Sequence, residues 1–370
     1  MKPVQVGCIG CGNVSDQYFK AAQRFGAMKI VACADLDHEK ARAAAEAHGI
    51  ERVLSPEALL ADPEIEVVLN LTIPSAHVAV SLAALEAGKH VYVEKPLGVN
   101  REEARLLLDA VKRTGLRLGC APDTFLGANI QTCRKLIDEG VLGDVTAFTA
   151  FMVSRGHENW HPSPEYYYQP GAGPMMDMGP YYLTALLQLL GPMRRVTGFT
   201  SIAIPERTIT SQPLHGQTIR VQVPDHYAGV IEFASGVVGS IIQSFAMRNA
   251  DVDWGHPMVI YGTKATLKVP DPNVFDGIPL ICHEGGHGHW HEVPYAFTAG
   301  YGRSVGLADM AHAIRSGRPH RCSMEQAWCV LDAMEGFADA SHSGCAHPIE
   351  MPYERPAPMP ADLPLGQLDD

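Results

Sequence analysis

A lysine set between a short apolar strand and a proline is a candidate for chemistry, and residues 88–97 supply one. Residues 90–93 read as a strand, and Glu94-Lys95-Pro96 follows directly. Strands of a parallel sheet end at the edge where ligands bind, so Lys95 is expected beside a cofactor. Pro96 fixes the chain direction and lowers the cost of a cis Lys95–Pro96 bond, which would aim the amine sharply. The plainer alternative is a surface lysine after a strand. A second chemical signature stands near the amino terminus, in Gly10-Cys11-Gly12-Asn13-Val14-Ser15. This is Gly-x-Gly-x-x-Ser: Gly10 for a tight turn, Gly12 for backbone approach to a pyrophosphate, Ser15 small enough for helix–strand contact. Asp35, 23 residues after Gly12, ends the next strand at close to the spacing of a ribose-binding acid. Its carboxylate would bind the adenosine ribose and repel a 2′-phosphate, so NAD is expected over NADP. Asp35 as the cap of the following helix is the alternative.

These residues need a scaffold, and the first 120 residues alternate strand with helix. Residues 4–9, 29–34, 66–71, 90–93 and 116–120 read as strands. Residues 16–25, 37–48, 75–87 and 101–114 read as helices. The pattern implies an α/β fold with a doubly wound parallel sheet. Thr72 and Pro74 end one strand and are expected to flank the cofactor with Asn13, Val14, Glu94 and Pro96; His77 opens the next helix, in a structural or cofactor-edge role. Cys8 and Cys11 read as packing residues. After residue 122 the strands come closely spaced without helices between them, at 145–153, 195–204, 218–223, 226–233, 237–246, 258–261 and 265–269, which implies a mostly antiparallel sheet. Domains are expected at 1–122 (nucleotide-binding), 123–350 (substrate-binding) and 351–370, a proline-rich tail that wanders or drapes over the surface.

Composition narrows the class. The chain has 370 residues, 46% hydrophobic, and a net charge of −12, which disfavours an electrostatic grip on nucleic acid. No apolar run is long enough to span a membrane. Nine cysteines, an odd number, and an amino terminus without signal-peptide organisation point to a reduced, cytoplasmic protein.

With Cys8-Ile9-Gly10-Cys11-Gly12, then residues 84–91 (Ala-Leu-Glu-Ala-Gly-Lys-His-Val), then Glu94-Lys95-Pro96, the chain resembles the Gfo/Idh/MocA oxidoreductases over about residues 4–348. The resemblance implies a Rossmann domain, a carboxy-terminal α/β domain with an open sheet that meets another subunit, and NAD(P)-linked chemistry on sugars or cyclitols. The family groups a lysine with the aspartate and histidine of Asp-x-Gly-x-His at the nicotinamide. This chain has Asp177 and Gly179, with Tyr181 in the histidine's place. A phenol beside an ammonium is stabilised as its anion and can move a proton. Asp177 could instead satisfy amides at its helix start, with Pro180 in the first turn, and Tyr181 could be a core aromatic. The loop His157-Glu158-Asn159-Trp160-His161 is expected over the cleft, with Trp160 as a plane for a sugar ring and His157 and His161 bonding hydroxyls. His287, His289 and His291 lie in a glycine-rich stretch that reads as a solvated loop, and no metal is expected.

The resulting expectation is an NAD-dependent dehydrogenase moving a hydride between a ring hydroxyl carbon of a sugar, glycoside or cyclitol and nicotinamide. Lys95, Asp177 and Tyr181 are its catalytic residues, and it is expected to form a homo-oligomer. A carbonyl reductase or an NAD-using hydrolase or lyase on the same fold, and a non-catalytic NAD- or sugar-binding sensor, are the alternatives.

Overall fold

The structure, a computed structural model, describes residues 2–361 and 363–369. Its chain forms two compact units, each assembled from separate stretches of sequence.

The first unit holds the residues up to 131, then 296–328, then the tail from 356. Its parallel strands are β1 (Val4–Ile9), β2 (Met28–Ala34), β3 (Arg52–Val53), β4 (Val67–Asn70), β5 (His90–Val93) and β6 (Leu118–Cys120). They lie in the order β3-β2-β1-β4-β5-β6, the doubly wound arrangement, with its switch point between β1 and β4. Helices α1 (Asn13–Ala22), α2 (His38–His48), α3 (Pro56–Ala61), α4 (His77–Glu86) and α5 (Arg101–Thr114) connect them. Three helix starts are fixed by side chains accepting backbone amides: Asp37 from Glu39, Ser55 from Ala58 and Asn100 from Glu103. β4 is wholly buried, which is why it reads as an unbroken apolar run ending in Asn70.

Two late segments complete this unit. Before α8 (Val305–Ser316), the Ser304 and Gly306 amides both donate to Asp123 Oδ2 at 3.0 Å. At its other end Arg315 donates through two nitrogens to Glu66, each at 2.7 Å. The tail, expected to wander or drape over the surface, is pinned: Met359 and Leu368 are buried, and Arg321 donates to the Ala357 and Pro358 carbonyls. The expected boundaries at 122/123 and 350/351 therefore differ from these units, because residues 296–328 and the tail pack with the nucleotide-binding segment.

The second unit spans residues 132–295 and 329–355, with α6 (Ala128–Asp138) leading into it. Its nine-stranded sheet contains β7 (Val145–Val153), β8 (Met193–Ser201), β11 (His226–Phe233), β12 (Val238–Ser244), β13 (Met258–Gly262), β14 (Ala265–Val269), β15 (Leu280–His283), β16 (His291–Glu292) and β17 (His347–Pro348). The order is β16-β15-β14-β13-β7-β12-β11-β8-β17, antiparallel except where β12 pairs with β7. Strands β9 (Glu206–Thr208) and β10 (Thr218–Arg220) form a separate pair. Helix α7 (Pro174–Leu190) packs on β11 and β12. Phe337 of α9 (Met324–Ser343) comes so near Gly229 that a Cβ there would lie 2.3 Å from its ring. The opposite face of the sheet carries exposed apolar side chains, Phe199 (77% exposed), Val230, Val238 and Tyr261, beside polar Thr197, Ser240 and the Arg195–Glu232 pair.

Candidate functional site

In the first unit the expected residues gather at the carboxyl ends of the parallel strands. Gly10 has φ +103°, and a Cβ on it would lie 2.5 Å from the Leu71 carbonyl oxygen, so the turn after β1 closes only around glycine. A Cβ on Gly12 would meet nothing within 4 Å, and no side chain caps α1, so the helix start is open around Gly12, with exposed Asn13 and half-exposed Val14 beside it. That is the geometry of an anion site. Ser15 is buried and donates to the Gly12 carbonyl at 2.7 Å.

Asp35 follows β2 and accepts the Cys11 amide at 2.7 Å and the Asp37 amide at 2.9 Å. The capping alternative falls to its neighbour, since Asp37 caps α2. Next to Asp35, Leu36 is 97% exposed, an apolar surface that the sequence pattern did not single out. Cys8 and Cys11 are both buried, and burial pushes the Cys8 thiol well above its usual range. After β4, Thr72 donates to Asn70 and Pro74 is exposed at the start of a short turn. His77 is buried with its ring nitrogens 2.7 Å from the Pro96 carbonyl and 3.0 Å from the Thr72 carbonyl. It ties the loop after β4 to the loop after β5, a structural role, and burial lowers its pKa.

Glu94 is buried, accepting the Tyr18 hydroxyl and the Lys95 amide, each at 2.8 Å. Lys95 itself is half-buried, and the Lys95–Pro96 bond is cis. The expected nucleotide set, Gly10, Gly12, Asn13, Val14, Asp35, Thr72, Pro74, Glu94, Lys95 and Pro96, thus shares one sheet edge. An open helix terminus and a backbone-anchored carboxylate at that edge fit a nicotinamide dinucleotide.

In the second unit His157, Trp160, His161 and Asp177 come together. The His157 ring stacks on Tyr167 with centroids 3.7 Å apart and meets Phe245 edge-on at 4.5 Å. Its Nε2 lies 3.8 Å from Asp177 Oδ2. Desolvation outweighs that carboxylate and lowers the His157 pKa to about 4, so the imidazole is neutral at pH 7. Trp160 is 59% exposed and its ring lies 5.3 Å from that of His157 and 5.2 Å from that of His161. Asp177 and Tyr181 lie four residues apart on α7 and so share one face; Tyr181 is buried. The helix starts at Pro174 with Gly173 at its cap position, so Asp177 is not the cap and Pro180 lies inside the helix, which counts against the capping alternative.

Residues that sequence reasoning missed hold this site in place. Glu158 is buried between the Tyr168 hydroxyl at 2.6 Å and Arg207 at 2.7 Å, and Arg207 also donates to Asp225 at 2.6 Å. The run Tyr166-Tyr167-Tyr168 was the available signal, an aromatic triplet too dense for an ordinary loop. Of the three glycine-flanked histidines, His287 and His289 are exposed in a turn and His291 opens β16.

A doubly wound nucleotide unit carried with a second unit built on an open sheet defines a two-part, dinucleotide-dependent oxidoreductase. Residues 4–121 match the oxidoreductase family with an NAD-binding Rossmann fold, and residues 130–268 match the GFO/IDH/MocA carboxy-terminal domain. The chain belongs to the Gfo/Idh/MocA family. It is 28% identical over 68% of its length to levoglucosan dehydrogenase of Pseudarthrobacter phenanthrenivorans, covering 69% of that protein. To D-glucoside 3-dehydrogenase of Escherichia coli it is 29% identical over 66% of its length, covering 71% of that protein. It shares its fold with an NAD-binding oxidoreductase from Klebsiella pneumoniae, with TM-score 0.80, 22% identity, and coverage of 95% of this chain and 100% of that one. Among the described residues no helix is long and apolar enough to cross a membrane.

Proposed function

We propose that this protein oxidises a ring hydroxyl of a sugar, glycoside or cyclitol to a ketone, using NAD in preference to NADP. The observation that carries the cofactor half is Asp35, held by two backbone amides at the end of β2, where it would accept the ribose hydroxyls and repel a 2′-phosphate. Leu36 offers the adenine an apolar contact. The carbohydrate half is supported by relatives named for levoglucosan and D-glucoside dehydrogenation. Bound NAD supplies the hydride acceptor. Lys95 donates a hydrogen bond to the reacting oxygen and stabilises negative charge on it. Tyr181 takes the hydroxyl proton, and Asp177, on the same face of α7, positions substrate. His157 is neutral and bonds a substrate hydroxyl without carrying charge, while Trp160 gives the ring an apolar plane and His161 a further polar contact. The protein is proposed to act in the cytoplasm.

Support for a homo-oligomer comes from the outward face of the second unit's sheet, where Phe199, Val230, Val238 and Tyr261 are exposed on neighbouring strands. These exposed apolar side chains are best covered by a second copy of the chain. The test of the function is a panel of sugars, glycosides and inositols with NAD, followed by NADH absorbance. Net reduction with at least one class is expected. No NADH from any of them, with folded protein that binds NAD, would overturn the reading.

A further inference from the structure

Five aromatic rings of the second unit form one continuous circuit around the loop at 157–161. Ring centroids lie 5.3 Å apart for His157 and Trp160, 5.2 Å for Trp160 and His161, and 5.6 Å for His161 and Tyr166. Tyr166 then meets Tyr167 at 4.0 Å, and Tyr167 closes the circuit on His157 at 3.7 Å. Tyr167 is buried and the two histidines are half-buried, whereas Trp160 and Tyr166 stand out, Tyr166 with 52% of its surface exposed. Solvent therefore reaches Tyr166, and it adjoins the rings proposed to hold the sugar.

The backbone beneath these rings is held at several points. The Thr210 and Ser211 amides donate to the Glu158 carbonyl at 2.8 and 2.9 Å, and the Ser211 hydroxyl donates to the His161 carbonyl at 2.6 Å. Tyr168, which follows Tyr167, is fixed by its bond to Glu158. Side chains held in this way lose little freedom when a ligand covers them. Exposed aromatic rings gathered into one patch mark a binding surface, as a single exposed apolar residue does not.

The polar atoms around Tyr166 decide what it takes. Its hydroxyl and that of Tyr167 are hydrogen-bonded to each other. His161 Nδ1 accepts the Ser163 amide at 3.0 Å. One side of the Tyr166 ring lies against Tyr167, tilted by 31°, and more than half of its surface remains open. With these polar atoms engaged, this end of the surface offers a ring plane and few hydrogen bonds. A second sugar would give up water at its hydroxyls without replacement. A flat aromatic group loses no such partners and gains a stacking contact.

We infer that Tyr166 is the contact for an aromatic aglycone, so that the preferred substrate is an aryl glycoside. The oxidised ring lies on Trp160, and the flat group linked to it lies on Tyr166. This inference rests on the proposed carbohydrate dehydrogenase activity and specifies its substrate.

The test compares the phenyl, cyclohexyl and methyl glycosides of one sugar, with a disaccharide carrying the same oxidisable ring, as substrates of the full chain with NAD. Wild type, Tyr166→Phe, Tyr166→Leu and Tyr166→Ala are measured. The phenyl glycoside is expected to exceed the methyl glycoside in kcat/KM by roughly tenfold, the worth of an aromatic pair with the apolar area it buries. The cyclohexyl glycoside should fall between them. Tyr166→Phe should keep the phenyl-to-methyl ratio, because it keeps the plane, and Tyr166→Leu and Tyr166→Ala should each lower it; either of these two suffices if the other does not fold. Equal phenyl and methyl values in the wild type, a cyclohexyl glycoside as good as the phenyl one, or a disaccharide better than it would each overturn the inference. So would a ratio that survives the loss of the ring or is lost in Tyr166→Phe. If no glycoside yields NADH, the dehydrogenase reading fails by itself, and calorimetry of the phenyl and methyl glycosides with the NAD-loaded protein decides the surface. Tighter binding of the phenyl glycoside that Tyr166→Leu or Tyr166→Ala abolishes supports it, and equal binding or none overturns it.

Discussion

The imidazole of His157 offers the sharpest test of the electrostatics, because burial and one nearby carboxylate pull its pKa in opposite directions. Its folded-state pKa of about 4 lies below the ordinary 6.5. A base depressed on folding contributes stability that is fully present above pH 6.5 and is lost as pH falls towards 4, because the unfolded chain takes up the proton first. Between pH 7.5 and pH 5 that linkage amounts to about 2 kcal/mol, most of the roughly 3 kcal/mol available over the whole interval. Phenylalanine is the informative replacement: it keeps the stack on Tyr167 and the edge contact with Phe245, and it cannot titrate. Other groups change over the same range. Asp123, buried with its pKa pushed up to about 6, gains stability as pH falls and opposes the histidine. Subtracting the variant's curve from the wild type's removes those shared contributions. Thermal unfolding of both proteins from pH 7.5 to 5 should therefore show the wild type losing about 2 kcal/mol relative to His157→Phe. Difference NMR spectra should assign one imidazole titrating near pH 4. Parallel stability curves, or a His157 resonance titrating near 6.5, would show that the ring is solvated and that its packing has been misjudged.

Further expectations concern other parts of both units. Asp35→Ser should narrow the kcat/KM preference for NAD over NADP, and an unchanged ratio would remove Asp35 from the ribose site. Tyr181→Phe should lower turnover by roughly 10²–10⁴-fold with NAD affinity and melting temperature little altered; activity within a few-fold of wild type would relieve the phenol of proton transfer. Arg207→Met strands Glu158 and Asp225 and should cost roughly 3–5 kcal/mol, measured by denaturant unfolding; a cost below about 1 kcal/mol would mean that the two carboxylates find other partners. Val230→Arg, on the outward face of the sheet, should lower the mass measured by light scattering towards that of a single chain, and an unchanged assembly would place the subunit contact elsewhere.

The nucleotide-binding edge was readable because parallel strands leave strong marks: unbroken apolar runs that end in glycine, aspartate or proline at fixed intervals. Val4–Ile9 and His90–Val93 carried those marks and fell where expected. Strand β3 did not, since Arg52 and Val53 are too few to show a period. In the second unit β15 and β16 were hidden by the glycines between them, and β9 by its brevity. The start of α7 was left open because Asp177 has the look of a cap, whereas Gly173, with φ +95°, ends the preceding loop and Pro174 opens the helix. Least legible was the support of the loop at 157–161. Arg207, Asp225 and Tyr168 are scattered along the chain, and each alone is an ordinary charged or aromatic residue. Only three-dimensional closure makes them a buried network.

The way Asp123 waits for Ser304 and Gly306 bears on how the protein is made. A ribosome that has released the sixth parallel strand has still to synthesise roughly 180 residues before the amides that satisfy this buried carboxylate exist, about 10–40 s at usual elongation rates. Throughout that interval the nascent nucleotide-binding layer lacks α8 and the anchors Met359 and Leu368, with the apolar surface they cover left open to chaperones and to neighbouring chains. The later segment, 132–295, is completed by α9, β17 and the stretch to residue 355, where Arg355 donates to Asp138 and the Tyr353 hydroxyl accepts from Gln188. Order of synthesis and order of completion are thus reversed for the part of the chain that emerges first.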